Sequence, residues 1–389
     1  EEAIEEIMEA ISRKNDGINK KIIVTGCLAE RYQKQMDEEF PEIDAVVGIA
    51  KNDDIVEIIN SVMLDRRVIT FGDKLCHNME GDKLQSTLPH YAYLRIADGC
   101  SNKCSYCAIP LIRGKMRSRK MENIIEEAKK FAENGVKELV IVAQDVTAYG
   151  IDLYKKYALP DLLKQLCKID GIKWIRLLYC YPERMTDELI ETIKTEDKVL
   201  NYIDIPIQHC NKEILRNMYR GGDEQSLREL FAKLRREIPG VVLRTTLITG
   251  FPGETEEQFS ELAEFVNDIK FERLGCFAYS AEEDTPAAEM PDQVDEDERQ
   301  RRADIITGEQ EIRMGEYYAG MIGNTYEVVC EGFDRYSDMY FGRSMHFAPE
   351  IDGMIYFTSA KDKSPLTIGD FVNVKITDVL ENNLLGERV

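Results

Sequence analysis

Basic residues, histidine and long apolar runs are all scarce in this chain of 389 residues. Fifty Lys and Arg stand against 72 Asp and Glu, a formal charge of −22. That deficit argues against nucleic-acid binding through the general surface, because such affinity comes from counterion release at many cationic contacts. It leaves room for a small basic site, since exposed charges are screened beyond roughly 8 Å at physiological salt. No apolar run approaches the ~20 residues that span a bilayer. The N-terminal EEAIEEIMEA is the reverse of a basic and then apolar export signal, so the sequence predicts a cytoplasmic protein. Four dispersed histidines, His77, His90, His209 and His346, supply neither a hydrolytic triad nor a zinc site. The GFPGET stretch at 250–255 lacks the Lys of a phosphate-binding loop, which argues against nucleotide triphosphate use. Ten cysteines are too few for a disulfide scaffold, and in a reducing compartment clustered cysteines serve as metal ligands or catalytic groups.

At 43% hydrophobic, the chain has enough apolar residues for one large core or several smaller ones. Residues 1–75 read as part of a small α/β domain. An amphipathic helix with Ile4, Ile7, Met8 and Ile11 on one face is followed by the strand IIVTG, a helix over 29–39, the strand DAVVGI and a helix over 53–63. The chain opens inside a helix and without Met, which predicts a preceding segment. Residues 76–90 have no periodicity and read as a linker. From 91 to 281, six apolar runs alternate with helices: AYLRIA, ELVIVA, WIRLLY, YIDIPI, VLRTTLIT and RLGCFAY. This is the pattern of parallel β/α units, and about 190 residues predicts an open six-unit (β/α) partial TIM barrel rather than a full eightfold one of roughly 250. Residues 282–318 read as an acidic connector and charged helix. Residues 319–389, with four or five short β-like runs, read as a small C-terminal β-barrel.

In parallel β/α folds the chemistry gathers at the C-terminal ends of the strands. After the first strand comes GCSNKCSYCAIP, with Cys100, Cys104 and Cys107 spaced C-x3-C-x2-C. A structural zinc site takes four ligands, and a 4Fe-4S cluster likewise has four iron corners, so three thiolates leave one iron open to a non-protein ligand. An incomplete zinc site and a plain redox cluster are the other readings of these residues. The later strand ends carry Gln144 and Asp145, Tyr181, Pro182 and Glu183, Gln208 and His209, Gly250–Thr255, and Ser280.

This cysteine spacing, with Tyr106 before the third Cys and six β/α units behind it, resembles the radical S-adenosylmethionine superfamily. The longer stretches YAYLRIADGCSNKCSYCAIPLIRGKMRSR, VAQDVTAYGIDLY, IPIQH and TGFPGETEEQF resemble its methylthiotransferases. They are most similar to the branch that methylthiolates an aspartate β-carbon of small-subunit ribosomal protein twelve. The resemblance covers essentially the whole chain and implies a cluster domain, a radical domain and a C-terminal TRAM barrel. It implies a 4Fe-4S cluster on Cys100, Cys104 and Cys107, with S-adenosylmethionine chelating the open iron and being cleaved to a 5'-deoxyadenosyl radical. Tyr106 would lie beside the adenine. Gln144, Asp145, Gln208, Arg244 and Gly250 would approach the rest of the cofactor. A second 4Fe-4S cluster takes three cysteines of the N-terminal domain in this family; Cys27 matches the last of them, and the other two would precede Glu1. Cys210 departs from the Gly expected at its position and has no assigned role.

Between Arg95 and Lys120 there are seven basic residues and one acid, Asp98. Arg113, Arg117 and Arg119 in this run are suited to forked hydrogen bonds with carboxylates of cofactor or substrate. Residues 318–389 hold eleven acids and six bases, which suits a basic ribosomal protein better than a phosphate backbone. An external electron donor is implied. Two alternatives carry their own discriminating products: a tRNA methylthiotransferase acting on a modified adenosine, and a non-enzymatic iron-sulfur electron carrier.

Overall fold

The computed structural model describes residues 2–76, 78–81, 84–360 and 363–389, so His77 lies outside the described residues. The chain falls into two units, one made of 1–83, 98–103 and 107–117, the other of 84–97, 104–106 and 118–389. Among the described residues no helix is long and apolar enough to cross a membrane.

In the first unit, β1 (Ile23–Thr25), β2 (Ala45–Val47) and β3 (Val68–Thr70) form a three-stranded parallel sheet in that order. Ile7 and Ile11 of the helix Glu2–Asn15 pack with Ile22, Ala29, Met36, Ile43 and Val46 into its core. The helix expected over 29–39 is two pieces, Cys27–Arg31 and Gln33–Glu39, broken at Tyr32. β3 was not expected: VIT is short, follows two arginines and is only half-buried, so it has no hydropathy signature.

In the second unit, β4 (Tyr91–Arg95) opens the six-stranded sheet. The two-residue strands β5 (Ala97–Asp98) and β6 (Arg117–Ser118) then bracket the cysteine loop. β7 (Glu138–Val142), β8 (Trp174–Leu177), β9 (Val199–Asp204), β10 (Val242–Thr249) and β11 (Arg273–Ala278) follow. The sheet order is β11-β10-β9-β8-β7-β4 and every pair is parallel, the expected open six-unit barrel. β9 runs three residues earlier than YIDIPI suggests. Val199 pairs with Ile175, and Pro206, with no N–H to give a ladder, lies beyond the strand end. Local chemistry starts the intervening helices. Thr186 accepts from Leu189 N, while Asp223 with Ser226 and Thr255 with Gln258 make reciprocal caps.

The helix Glu296–Met321 leads to β12 (Thr325–Asp334), β13 (Met339–Ser344), β14 (Ile355–Thr358), β15 (Phe371–Leu380) and β16 (Asn383–Arg388). These close into a barrel in the order β12-β13-β14-β16-β15. Its side chains share a core with the N-terminal ends of the sheet strands: Tyr91, Val140, Trp174, Leu200, Tyr202 and Val242 pack with Val329 and Ala348.

Strand side chains alternate between faces, and Glu138 lies on the same face as Val140, in the shared core. Its two oxygens accept from Arg176 Nε at 2.7 Å and Arg343 Nη2 at 2.8 Å. Arg343 Nε also donates to Glu331 Oε1 at 2.8 Å, which lies 3.0 Å from His90 Nε2. All five side chains are buried. Burial alone would raise the Glu138 carboxyl, but Arg343 and Arg176 hold it down at about 2, against 4.5 for an ordinary glutamate. The unfolded chain therefore binds this proton first. The contribution is complete above about pH 4.5 and is lost as pH falls towards 2.

Glu138→Ala takes the paired carboxylate from buried Arg176 and leaves Arg343 with Glu331 alone, and is expected to cost about 3–5 kcal/mol in urea unfolding at neutral pH. Glu138→Gln, which cannot titrate, is expected to flatten the wild-type loss of stability between pH 4.5 and 2.

Candidate cofactor site

The cysteine loop changes unit twice, so Cys100 and Cys107 belong to the first unit with Cys27, and Cys104 and Tyr106 to the second. Within the first unit the loop closes on two left-handed glycines, Gly99 (φ 76°) and Gly114 (φ 75°). A Cβ on Gly99 would stand 2.5 Å from Lys115 O, so only glycine fits. Cys100 N donates to Gly114 O at 3.1 Å. The short helix Ile109–Arg113 places Ile112 with Ala108, Ile49 and Cys27 in one apolar cluster. Arg113 donates to Asp98 Oδ1 at 2.8 Å and to Cys27 Sγ at 3.3 Å.

The basic run is largely committed to local partners. Arg117 donates to Leu75 O at 2.8 Å and lies 3.7 Å from Asp98. Arg119 is buried, pairs with Glu127 at 2.6 Å and donates to Arg95 O at 2.7 Å. Its place in the fold is structural, and the expectation that it meets a ligand carboxylate does not match its position.

Within the second unit, Ser105 is clamped three ways: its N donates to Met218 O, its hydroxyl to Asn217 O, and its carbonyl accepts from Ala287 N. That fixes Cys104 and Tyr106 on either side. Tyr106 lines a cavity of about 250 Å³ with Gln208, Thr246, Ile248, Phe277 and Tyr279, just below the roughly 300–1,000 Å³ of small-molecule sites. Gln208 sits in a left-handed conformation (φ 71°) and bridges to Leu247 of β10. Thr246, Ile248 and Phe277 were missed by the sequence reading, although period-two alternation in VLRTTLIT and RLGCFAY puts them on one face of adjacent strands.

Gln144 carries an enclosed Oε1 without a hydrogen-bond partner among the described residues. Asp145 is committed to its own loop, accepting from Thr147 Oγ1 at 2.6 Å and Ala148 N at 3.2 Å and pairing with Arg184. Arg244 is not brought together with Tyr106. It pairs with buried Asp204 at 2.9 Å and lines a separate cavity of about 320 Å³ with Arg273, Tyr318 and Asp352. Gly250 is left-handed (φ 67°), and the space beside it is taken by Arg299, 2.3 Å from a built Cβ, rather than by an approach for ligand. Glu254 receives Gly250 N and Arg302 and lies 3.4 Å from His209 Nε2, which ties the GFPGET loop to the end of β9.

A 4Fe-4S cluster with S-adenosylmethionine fits these donors by their chemistry. The loop offers three half-buried thiols within eight residues, none of them in a disulfide, and the strand ends offer an aromatic-lined cavity and an unpaired amide oxygen. Among the described residues no three Cys, His, Asp or Glu are gathered as a ready cage; metal sites that form with binding do not require one. Cys210 and Cys180 are core thiols, pushed well above the ordinary range by burial.

Two family models match the chain: the Radical SAM superfamily over residues 94–266 and the TRAM domain over 322–389. The fold is similar to the radical S-adenosylmethionine methyltransferase TsrM from Kitasatospora setae (TM-score 0.55, 13% identity, 69% of this chain and 57% of that one). It is also similar to the cobalamin-dependent S-adenosylmethionine radical enzyme OxsB (TM-score 0.51, 12% identity, 79% and 46%). Fold and cysteine loop together define the class: a radical S-adenosylmethionine barrel followed by a TRAM barrel.

Among curated proteins, the chain is 49% identical to the ribosomal protein uS12 methylthiotransferase RimO of Caldanaerobacter subterraneus subsp. tengcongensis, over 93% of this chain and 82% of that protein. The namesake of Clostridium botulinum is 47% identical over 99% and 86%, and that of Desulforamulus reducens 48% over 100% and 87%. The chain belongs to the RimO family of ribosomal protein uS12 methylthiotransferases.

Alkylation of the native, metal-free chain read by mass spectrometry is expected to label exposed Cys76 together with Cys100, Cys104 and Cys107, and to label Cys180 and Cys210 only on unfolding. After anaerobic loading with iron and sulfide, protection should appear at the three loop cysteines and not at Cys76.

Proposed function

We propose that this chain is a radical S-adenosylmethionine methylthiotransferase of the cytoplasm that adds a methylthio group to the β-carbon of an aspartate in small-subunit ribosomal protein uS12. The observation that carries this reading is the 47–49% identity to uS12 methylthiotransferases along 93–100% of the chain. Cys100, Cys104 and Cys107 hold the 4Fe-4S cluster, and Cys27 contributes one of the three ligands of a second cluster in the full-length protein, the form that carries out the whole reaction. When bound, the first cluster and S-adenosylmethionine supply, with an electron from an external donor, the radical that takes hydrogen from the substrate carbon.

The chain's own residues position and shield these groups. Tyr106, Phe277 and Tyr279 give the adenine an aromatic-lined seat, and Gln208 and Gln144 supply polar contacts at its border. Ser105, clamped by three hydrogen bonds, keeps Cys104 and Tyr106 from drifting, and such fixed placement is worth most where a reactive carbon takes whatever is near. The C-terminal barrel exposes Asp338, Glu350, Asp378, Glu381 and Glu387 to a very basic protein substrate.

Anaerobic reduction with S-adenosylmethionine and uS12 is expected to give 5'-deoxyadenosine and a uS12 peptide heavier by one methylthio group in place of hydrogen. Cys104→Ala should abolish both products, whereas Cys27→Ala should abolish only the modified peptide. Modified tRNA with unmodified uS12 would overturn the substrate, and absence of 5'-deoxyadenosine from the wild type would favour an electron carrier. Neutralising Asp378, Glu381 and Glu387 together should weaken uS12 binding several-fold at low salt, with less effect at high salt.

A further inference from the structure

Tyr181 follows β8 and holds its hydroxyl 3.8 Å from Cys104 Sγ. Two guanidinium groups lie against its ring, Arg220 at 4.2 Å and Arg184 at 4.6 Å from the centroid. Arg184 is neutralised by Asp145. Arg220 is different: it is buried, and its Nη2 donates to Pro206 O at 2.7 Å, a neutral carbonyl. Its delivery is specific. Tyr219 turns left-handed (φ 57°), and Arg220 N closes back on Leu215 O. The preceding residues, Asn217 and Met218, are the ones that clamp Ser105. One loop therefore fixes the residue after Cys104 and also places a buried cation behind the aromatic donor to Cys104.

The geometry points to Tyr181 and Arg220 as a pair that tunes the reduction potential of the cluster through Cys104, an inference that rests on the ligand role proposed for that cysteine. A cluster-bound thiolate has no proton to give, so Tyr181 O–H is the donor. A hydrogen bond to a cluster sulfur and a nearby buried positive charge, here offset only at longer range by Glu183, both favour the more negative, reduced state and raise the potential. The cation also draws electron density from the ring it stacks on, which makes the phenol a stronger donor. Through the Cys104 thiolate, the pair makes the electron easier to place on the cluster than it would be without that donor and cation.

The test is an EPR-monitored redox titration of the loaded full chain, with the signal that responds to S-adenosylmethionine taken as the radical cluster and iron measured per chain. Tyr181→Phe and Arg220→Gln are expected to shift the midpoint to more negative potential with iron unchanged, and Arg220→Lys to shift it less than Arg220→Gln. A midpoint unmoved in Tyr181→Phe overturns the inference, and so does loss of iron from that variant, which would make the hydroxyl a holder of the loop instead of a tuner. A separate control tests the underlying assignment: if Cys104→Ala keeps the responsive signal, the ligand role itself fails, whereas its loss beside an unmoved Tyr181→Phe midpoint condemns the tuning alone.

Discussion

The second unit depends on one buried carboxylate. Glu138 begins β7 and would be untenable in a shared apolar core without Arg176 from the neighbouring strand and Arg343 from the C-terminal barrel. Arg343 in turn needs Glu331, and Glu331 meets His90. Removal of Glu138 takes from Arg176 its paired carboxylate where water does not reach, so sheet and C-terminal barrel are fitted to each other rather than merely adjacent. Charge is not what packing alone requires, since apolar side chains of similar volume often replace such buried sets without loss of stability. What the charges add is register: a forked guanidinium meets a carboxylate in few orientations, which fixes how β13 sits beneath the strand ends.

With the N-terminal end of the sheet closed in this way, the same strand faces are left to build the site at the other end. On β10 one face carries Val242 in the shared core, then Arg244 paired with Asp204, then Thr246 and Ile248 in the cavity with Tyr106. On β11 it carries Arg273 and Gly275 and then Phe277. A single period-two alternation thus runs from core through a charged floor to a ligand-sized space. This gradient explains why Arg244 belongs to the floor, three residues into an eight-residue strand, and not to the mouth.

Much of this was legible in the sequence. The six strands announce themselves as apolar runs because both faces of a parallel sheet are covered, and the C-x3-C-x2-C spacing marks a metal- or cluster-binding loop, whose particular chemistry came from the family resemblance. What escaped has physical reasons. β3 and β16 are short, polar-flanked pieces whose strand character comes from pairing, as when Leu384 and Leu385 meet Ile355 and Tyr356. The contact of Tyr181 with Cys104 joins residues 77 apart, and Arg220 reaches that ring only because Tyr219 adopts a conformation that its type does not advertise. The arginine run misled for a related reason: charge along a sequence says nothing of which acids folding will bring to it, and Asp98 and Glu127 take Arg113 and Arg119.

The same lesson bears on the acidity of the C-terminal barrel. Eleven acids against six bases suggested an anionic face for a basic protein. Glu331, Asp352 and Arg343 are buried in the junction with the sheet, so they contribute nothing to what a partner meets. Glu350 is exposed yet already accepts from Tyr91 and Tyr93. Among the described residues, exposed acids remain at Asp338, at Asp378 and Glu381 beside the β15–β16 turn, and at Glu387, which stands opposite Lys375. A surface that draws in a basic protein works by the field of its exposed charges, which acts over about a Debye length. Net charge per domain is therefore the wrong measure. Asp378 and Glu381, at the tip of one hairpin, are the smaller and more specific feature on which recognition by this barrel can rest.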